Sequence, residues 1–440
     1  MRDLIRQKIV DALAAPVPAF TRRDVRIPGI AGKAVAVIGM RRTGKTTFLW
    51  QVLADRMAQG MGRDGLLYAS FEDERLAGMT AADLTLLIEE YYRLHPEWRD
   101  RRDRQRAVFL LDEIQAIPGW EAFTRRLLDT EQVELFISGS SARLLSREVA
   151  TSMRGRAMEA LVHPFSFREY LRHLGREPVR EPARLPKAAR SALEKDLREY
   201  LTGGGFPEAV GAAARDRFEL LRGYVDVALL RDVVERHAVS HPVALRWMMR
   251  HLLGNAAGLF SVNKFHSDLR SQGIPVAKDT LHAYLGYLED AFLIRTVSVA
   301  SDSERRRMVN PRKVYPIDPG LIPVFDRSGR ANLGHALETC VLVELERCGA
   351  EVAYVRTASG FEVDFLARYP EGREALIQVC ADLGDPATRE RETRALVEAA
   401  KEHRRATRHL IGLDPESPSD LPAGVTVHAA SAWLLGSSPS

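Results

Sequence analysis

Short apolar runs alternate with amphipathic stretches in the N-terminal part of the chain. The apolar runs, which are rich in β-forming residues, cover 34–40, 65–71, 107–113 and 133–140. Between them, stretches such as 46–60 repeat apolar residues at helical spacing. Strands that are apolar on both faces and separated by helices are typical of a parallel sheet covered on both sides. The pattern therefore predicts an α/β fold with a doubly wound parallel sheet.

The pattern changes twice farther along the chain. Apolar residues follow mainly helical spacing from about 186 to 291, and helix-like and strand-like segments mix again after Gly334. Three prolines within nine positions, Pro178, Pro182 and Pro186, are typical of a linker. At roughly 150 residues per domain, the 440 residues fit three domains. The predicted domains are 1–174, 175–330 and 331–440.

Composition and charge exclude several classes of protein. Lys and Arg number 63 and Asp and Glu 59, and the net charge of +4 excludes a histone-like chain, although a local basic surface is still allowed. No stretch approaches about 18 consecutive apolar residues, and the N-terminus has no continuous apolar segment, which excludes a transmembrane helix and a signal peptide. Cys340, Cys348 and Cys380 lack metal-ligand spacing. We therefore predict a cytoplasmic protein with no disulfide, zinc site or membrane partner.

The first chemical motif follows the strand predicted at 34–40. The segment 39–46, GMRRTGKT, matches the G-x-x-x-x-G-K-[ST] phosphate-binding loop and opens a helical pattern, as that motif requires. Its glycines let backbone N–H groups curve around a phosphate, and the helix N-terminus adds partial positive charge. Lys45 is expected to bridge the β- and γ-phosphates of ATP, and the Thr46 hydroxyl to ligate Mg²⁺. The predicted nucleotide-binding residues are Gly39, Arg42, Thr43, Gly44, Lys45, Thr46, Thr47 and Asp112.

The second motif is FLLDE at 109–113. Apolar residues deliver Asp112 to a strand end, where it can hold Mg²⁺ through water, and Glu113 beside it is suited to polarise the attacking water. The alternative is a chance glycine-rich match followed by an ordinary acidic strand end. Because both motifs occur in order after apolar strands, ATP hydrolysis is the favoured interpretation.

Two later segments offer further catalytic candidates. Ser138 ends an apolar strand, where its side chain would touch the γ-phosphate or the attacking water, or would simply be a strand-end serine. Arg154 and Arg156 lie late in the predicted core, where an arginine could act as a finger on a neighbouring subunit's γ-phosphate. An ordinary surface role is the alternative for both arginines. The predicted catalytic residues are Glu113, Lys45, Ser138 and Arg156.

Five segments in order resemble a known family. They are GMRRTGKTT, FLLDEIQAIPGWE, FISGSSARLL, MRGRAMEALVHPFSFREYL and GGGFPEAV. They are similar to a group of bacterial and archaeal AAA-type ATPases that join a P-loop core to a winged helix and a C-terminal restriction-endonuclease-like domain of unknown function. The resemblance extends from about Arg22 to Leu435. It implies ATP binding and hydrolysis, with Arg156 as the arginine finger, and it defines the chemistry better than the biological task.

The middle region has the element order of a winged helix. Two helices are followed by predicted strands at 295–299 and 313–317, which would form a wing. The second helix has one apolar face, formed by Leu281, Leu285, Leu288 and Phe292. The wing tip carries Arg305, Arg306 and Arg307. Such a module contacts DNA with a helix in the major groove and the wing on phosphates. A protein-binding lid is the alternative, because only Lys278 and His282 are basic near the start of the second helix.

Acidic residues in the last region follow the order of a restriction-like metal nuclease. In that chemistry two acidic side chains hold Mg²⁺, and a lysine two residues after the second acid positions the attacking water. Glu338 and Asp364 fit the acids, with Glu362 as a spare carboxylate, but the lysine-bearing position reads Gln378-Val379-Cys380. The Cys380 thiol is mostly protonated at neutral pH. We therefore predict a degenerate nuclease site, formed by Glu338, Asp364 and Gln378, in a domain that binds nucleic acid or protein. An active nuclease and an ordinary α/β domain with incidental acids are the alternatives.

Two functions fit these features. In the first, Mg²⁺-dependent ATP hydrolysis drives a switch that repositions the winged helix and the C-terminal domain on DNA. In the second, a signalling ATPase acts on protein partners, and its C-terminal domain is a catalytically dead docking surface. An arginine finger at Arg156 would require a homo-oligomer in either case.

Overall fold

A computed structural model describes most of the chain. The described residues are 1–99, 106–139, 153, 155–326, 332–413 and 421–436. They form two compact units, the N-terminal unit Met1–His163 and the C-terminal unit Pro164–Ser440. The C-terminal unit includes both regions that the sequence analysis separates at 330, and the finer boundaries at 174 and 330 remain predictions.

The N-terminal unit is built on a five-stranded parallel sheet. Its strands are β1 (Ala34–Ile38), β2 (Leu66–Ser70), β3 (Ala107–Asp112), β4 (Val133–Ser138) and β5 (Ala157–Leu161). They are ordered β2-β3-β4-β1-β5, and all neighbouring pairs are parallel. Every residue of β1 and β3 is buried, which requires cover on both faces of the sheet. The α/β prediction is confirmed. The apolar runs did not reveal β5, because this edge strand is only partly buried.

One helix of the N-terminal unit precedes these strands, and three connect them. They are α1 (Arg2–Ala14), α2 (Lys45–Ala58), α3 (Ala81–Leu94) and α4 (Trp120–Thr130). α1 buries Ile5 and Ile9 and packs against α3 and β2. α2 begins directly after the loop that leaves β1, so the phosphate-binding motif lies at the carboxyl edge of the parallel sheet.

The C-terminal unit begins with a mainly helical region, as the spacing predicts. Its helices are α5 (Phe167–His173), α6 (Lys187–Gly203), α7 (Ala214–Ala228), α8 (Pro242–Gly254), α9 (Val262–Ser271) and α10 (Lys278–Asp290). A π-helical segment, Leu229–Val234, continues α7. Of the predicted apolar face, Leu281, Leu285 and Leu288 lie on α10, whereas Phe292 lies beyond its end; all four residues are buried.

A small antiparallel sheet packs with these helices. Its strands are β6 (Leu259–Phe260), β7 (Ile294–Val297) and β8 (Arg312–Pro316), in the order β6-β8-β7. The two predicted wing strands therefore pair, but the predicted wing tip between them, with Arg305, Arg306 and Arg307, is not a simple turn. That segment is the helix α11 (Glu304–Val309), because the Ser303 side chain accepts a hydrogen bond from the N–H of Arg306 and caps a first turn rich in helix-forming arginines.

The unit ends in a second five-stranded sheet, ordered β13-β12-β11-β10-β9. Its strands are β9 (Glu351–Arg356), β10 (Glu362–Arg368), β11 (Glu374–Cys380), β12 (Thr407–Gly412) and β13 (Val425–Ala429). The first three are antiparallel and the last three parallel. The remaining helices are α12 (Ile322–Phe325), α13 (Leu333–Arg347), α14 (Pro386–Glu402) and α15 (Ala430–Gly436). None of the described helices combines the length and apolar composition that a bilayer crossing requires.

Candidate functional site

The loop between β1 and α2 has the backbone shape of a phosphate site. Gly39, Arg42 and Gly44 adopt φ values of 147°, 68° and 95°. A Cβ on Gly39 would lie 2.2 Å from the carbonyl oxygen of Val162, so the neighbouring backbone leaves no room for a side chain there. Successive turns of this kind point N–H groups inward and form anion-binding concavities. The loop therefore fits a phosphate group at the N-terminus of α2.

Lys45 and Thr46 lie in the first turn of α2. The Lys45 side chain is buried, and its Nζ donates to the carbonyl oxygens of Gly39 at 3.1 Å and Met40 at 3.0 Å. The Thr46 hydroxyl donates to Oδ2 of Asp112 at 2.8 Å. A hydroxyl beside a carboxylate is the kind of oxygen pair that Mg²⁺ prefers. The two residues predicted as magnesium ligands are thus brought together and fit that ion.

Ser138 connects the two acidic residues of the second motif. It ends β4, next to β3, and its hydroxyl donates to Oδ1 of Asp112 while accepting a hydrogen bond from the N–H of Glu113 at 3.1 Å. Ser138 and Asp112 are both fully buried. The serine therefore orients Asp112 and Glu113, and its predicted contact with a γ-phosphate or the attacking water remains a prediction.

Glu113 is held in an unusual conformation. Its φ of 52° lies in the left-handed region, which costs a non-glycine residue on the order of 1–3 kcal/mol and is found mainly where function requires it. Burial raises the pKa of the Glu113 carboxyl, and the Lys45 ammonium and a hydrogen bond from Gln115 act against that shift. A carboxylate with a raised pKa, held just beyond a strand end, is suited to accept a proton from water near neutral pH.

Tyr68 belongs to the site although the sequence analysis did not single it out. It lies on β2, the other neighbour of β3, and its hydroxyl donates to Oδ2 of Asp112 at 2.9 Å. The ring stacks at a tilt on Trp50 of α2, with centroids 4.6 Å apart. Burial and the Asp112 carboxylate raise the pKa of Tyr68, so the hydroxyl stays a donor. In the sequence, the only sign of this role was the polar hydroxyl of a tyrosine near the end of an apolar run.

Arg23 supports the loop from outside the motif. Its Nη1 donates to the carbonyl oxygen of Thr43 at 2.7 Å, and its Nη2 to that of His163 at 2.5 Å. The side chain is only 4% exposed. Of the other predicted loop residues, Thr43 is buried, Arg42 is exposed and Thr47 is half-buried. No sequence pattern distinguishes Arg23 from the many other arginines of the chain.

Arg156 lies at the edge of the sheet opposite to the loop. It precedes β5, its carbonyl oxygen accepts a hydrogen bond from the N–H of Ala34 at the first residue of β1, and its side chain pairs with Asp129. Five residues of strand, at about 3.3 Å each, separate Ala34 from the loop. A finger role for Arg156 therefore requires a second subunit. Arg154 lies outside the described residues.

The acidic residues predicted in the C-terminal domain surround a lysine from β8. Nζ of Lys313 lies 2.9 Å from Oδ1 of Asp364, 3.0 Å from Oε1 of Glu362 and 3.2 Å from Oε1 of Glu338. The Tyr315 hydroxyl donates to the same Glu338 oxygen at 2.6 Å. Burial would lower the pKa of Lys313, but the carboxylates, Asp364 first, outweigh it and raise the pKa, so the ammonium stays charged.

The other oxygens of this cluster are also occupied. Oδ2 of Asp364 accepts from the N–H of Val379 at 3.0 Å, and Gln378 accepts from the N–H of Asp364 while donating to Glu392 at 2.7 Å. Among the described residues, these acids do not bring three ligand atoms within 4.8 Å of one another. The Lys313 ammonium, which sequence reasoning missed, therefore takes the place of a cation. Burial raises the pKa of the Cys380 thiol, so it stays protonated.

Comparisons with known proteins agree with this organisation. The family model for the AAA domain matches residues 31–171, and that for a domain of unknown function (DUF8612) matches 194–329. The chain is 32% identical to uncharacterized protein MJ1544 of Methanocaldococcus jannaschii, over 91% of this chain and 86% of that one. It is 30% identical to an uncharacterized protein of Haemophilus influenzae, over 76% and 78%.

A solved structure with a similar arrangement is the Walker-type ATPase PABY2304 of Pyrococcus abyssi. It has 15% sequence identity and a TM-score of 0.42, and the match covers 74% of this chain and 95% of that one. The family assignment rests instead on the AAA-domain match, on the two sequence relatives and on the parallel sheet with its phosphate-binding loop. The chain therefore belongs to the AAA-type P-loop ATPase family.

Proposed function

We propose that this protein is a Mg²⁺-dependent ATPase that works as a nucleotide-driven switch. The observation that carries the proposal is the hydrogen bond between Thr46 and Asp112, made at the edge where Lys45 and Glu113 also lie. These four side chains come from two sequence motifs, one after β1 and one at the end of β3, and they meet at the carboxyl edge of the sheet, where β4 lies between those two strands. Such edges are where open α/β sheets bind their ligands.

The side chains have distinct roles in the proposed reaction. Lys45 places its ammonium where β- and γ-phosphate charge accumulates, and Thr46 and Asp112 hold the metal, which when bound neutralises phosphate charge. Glu113 accepts a proton from the attacking water, and its raised pKa makes it a stronger base than an ordinary glutamate. The hydrogen bonds of the Ser138 hydroxyl fix the positions of Asp112 and Glu113 relative to each other.

DNA is the proposed target of the switch. The order α8-β6-α9-α10-β7-β8 is that of a winged helix, which supports major-groove binding by α10. Lys278 and His282 of α10 are exposed, as are Arg305 and Arg306 of α11, and all four are suited to contact phosphates. Arg307 is less suited, because its Nε donates to the carbonyl oxygen of Ser301.

A signalling ATPase with protein partners is the second candidate. It is favoured by the Lys313 cluster, whose carboxylates are engaged by an ammonium and by backbone N–H groups. A domain with such a site is suited to docking and not to cleavage of nucleic acid. In both candidates, Arg156 acts on a neighbouring subunit within a homo-oligomer.

The test is ATP turnover with and without duplex and branched DNA in the presence of Mg²⁺. We expect DNA to raise the rate, and DNA affinity to fall steeply with salt, because several phosphate contacts release bound counterions. Turnover that DNA does not change, together with no duplex affinity at low salt, would favour protein partners. Absence of turnover under all conditions would contradict both candidates. DNA recovered intact on a gel is expected in every case.

Tyr68 provides a prediction about the metal. Replacing Tyr68 with phenylalanine removes the hydroxyl that orients Asp112, and outer hydrogen-bond partners of a metal ligand typically contribute tenfold or more to metal affinity. We expect the Mg²⁺ concentration for half-maximal turnover to rise about tenfold, with kcat at saturating Mg²⁺ changed much less. Tyr92→Phe, which removes another partly buried tyrosine hydroxyl, is the control. An unchanged Mg²⁺ requirement in Tyr68→Phe would contradict this role.

A further inference from the structure

A cleft in the helical region of the C-terminal unit has no role in the proposed reaction. It lies between α7, α8 and α12 and has a volume of about 570 Å³. Pockets for small molecules have volumes of roughly 300–1,000 Å³. The cleft is therefore large enough for a compact organic ligand, and its chemistry can be read from its walls.

Two of these walls carry guanidinium groups. Arg222 of α7 and Arg250 of α8 both line the cleft and are both exposed. Within the part of the chain that the structure describes, neither has an ion pair or a hydrogen bond. This sets them apart from arginines such as Arg231, which pairs with Glu235. Guanidinium groups bind phosphate through paired N–H donors. Two such groups in one cleft can therefore contact the same phosphate.

Trp247 adds an aromatic surface beside these charges. It lies three residues before Arg250 on α8, lines the same cleft and is 45% exposed. An exposed indole has an open π-face on which a nucleobase can stack, and such stacking tolerates every base. The two guanidinium groups are suited to bind the phosphate of a nucleotide, and the exposed indole beside them is suited to stack on its base.

Acidic and amide groups also line the cleft and narrow the choice of ligand. Asp226 of α7, Asp326, just after α12, and Asn255, just after α8, lie in its wall, so two carboxylates accompany the two arginines. Two carboxylates disfavour the continuous backbone of a polyanion, whereas a carboxylate can accept hydrogen bonds from the amino groups of a base. The mixture of charges thus fits one nucleotide unit better than the backbone of a duplex.

We propose that this cleft binds one nucleotide unit, with its phosphate between Arg222 and Arg250 and its base on Trp247. The unit belongs either to a free mononucleotide or to an unpaired strand of nucleic acid, since both present the same chemistry. The inference rests on the proposed action on nucleic acid and deepens it, and it names a site distinct from the P-loop and from the α10 and α11 residues proposed to contact duplex DNA.

The experiment measures binding of a fluorescein-labelled single-stranded 12-mer of mixed sequence to the full chain without added ATP, and repeats it in a Lys45→Ala background so that binding at the P-loop is excluded. Binding is expected for the unchanged protein, and Trp247→Ala and Arg250→Ala are expected to weaken it at least fivefold. Trp247→Phe keeps an aromatic face and is expected to stay close to the unchanged protein. Guanosine monophosphate as competitor separates the sources: competition at micromolar concentration indicates a free nucleotide, and its absence indicates a strand.

Arg246→Ala is the matched control. Arg246 is exposed and lies on the same helix as Arg250, but it does not line the cleft. Its replacement changes the net charge by the same amount as Arg250→Ala. Loss of affinity in Arg246→Ala as large as in Arg250→Ala would show non-specific attraction and would overturn the proposal. Absence of binding by both the 12-mer and the mononucleotide would also overturn it. ATP turnover and duplex binding, measured on the same proteins, report separately on the proposed function.

Discussion

Replacing Glu113 with glutamine is expected to lower kcat for ATP hydrolysis by at least about hundredfold while leaving ATP binding nearly unchanged. A positioned general base typically contributes 10²–10⁴-fold, about 2.7–5.5 kcal/mol of barrier, and glutamine keeps the size of the side chain but accepts no proton at neutral pH. The raised pKa of Glu113 and its left-handed backbone support this proposed role. Turnover and nucleotide affinity, measured in the same preparation, provide the check.

The matched control is Glu89→Gln, which makes the same change at an exposed position of α3. It is expected to retain full turnover. If Glu113→Gln retained more than about a tenth of the unchanged rate, another group would have to activate the water. A variant that lost ATP binding would instead indicate damage to the loop.

The raised pKa of Glu113 also sets the sign of the pH dependence. Only the deprotonated carboxylate accepts a proton, so turnover falls as pH drops through the pKa of this group. Because burial raises that pKa above its ordinary value of 4.5, the acid limb of kcat is expected at a higher pH than for an exposed glutamate.

The second large effect is expected at Lys313. Replacing it with methionine leaves three carboxylates facing one another in a site where the lysine side chain is only 6% exposed. Breaking a buried ion pair on one side typically costs about 3–5 kcal/mol. We therefore expect the free energy of unfolding of the C-terminal unit to fall by that amount, measured by urea denaturation followed by circular dichroism.

The triple variant Lys313→Met, Glu338→Gln, Asp364→Asn provides the decisive comparison. It removes two of the three unpaired carboxylates as well as the lysine and leaves only Glu362, which is partly exposed, so a large part of the lost stability is expected to return. Lys401→Met is the control, because Lys401 is exposed and its pair with Glu398 is worth at most about 1 kcal/mol. A loss in Lys313→Met no larger than in Lys401→Met would mean that the cluster does not stabilise the domain.

The strands of the N-terminal sheet were predictable to different degrees. β1, β3 and β4 are buried throughout or nearly so, and their continuous apolar runs identify them. β5 lies at the sheet edge, where only Ala160 is buried, so its apolar signal is weak. α11 was missed for a related reason: none of its residues is buried, so it has no apolar stripe, and only its serine cap favours a helix over a turn.

The sequence by itself determined the nucleotide chemistry of this protein, because a phosphate loop and a strand-end acid pair are formed by residues adjacent in the chain. Only the tertiary structure showed that Tyr68 and Arg23 support that site and that Lys313 occupies the acidic cluster. The reason is physical. A hydrogen bond or ion pair between distant residues depends on how sheets and helices pack. Lys313 lies 51 positions before Asp364, and no local sequence pattern marks the two residues as partners.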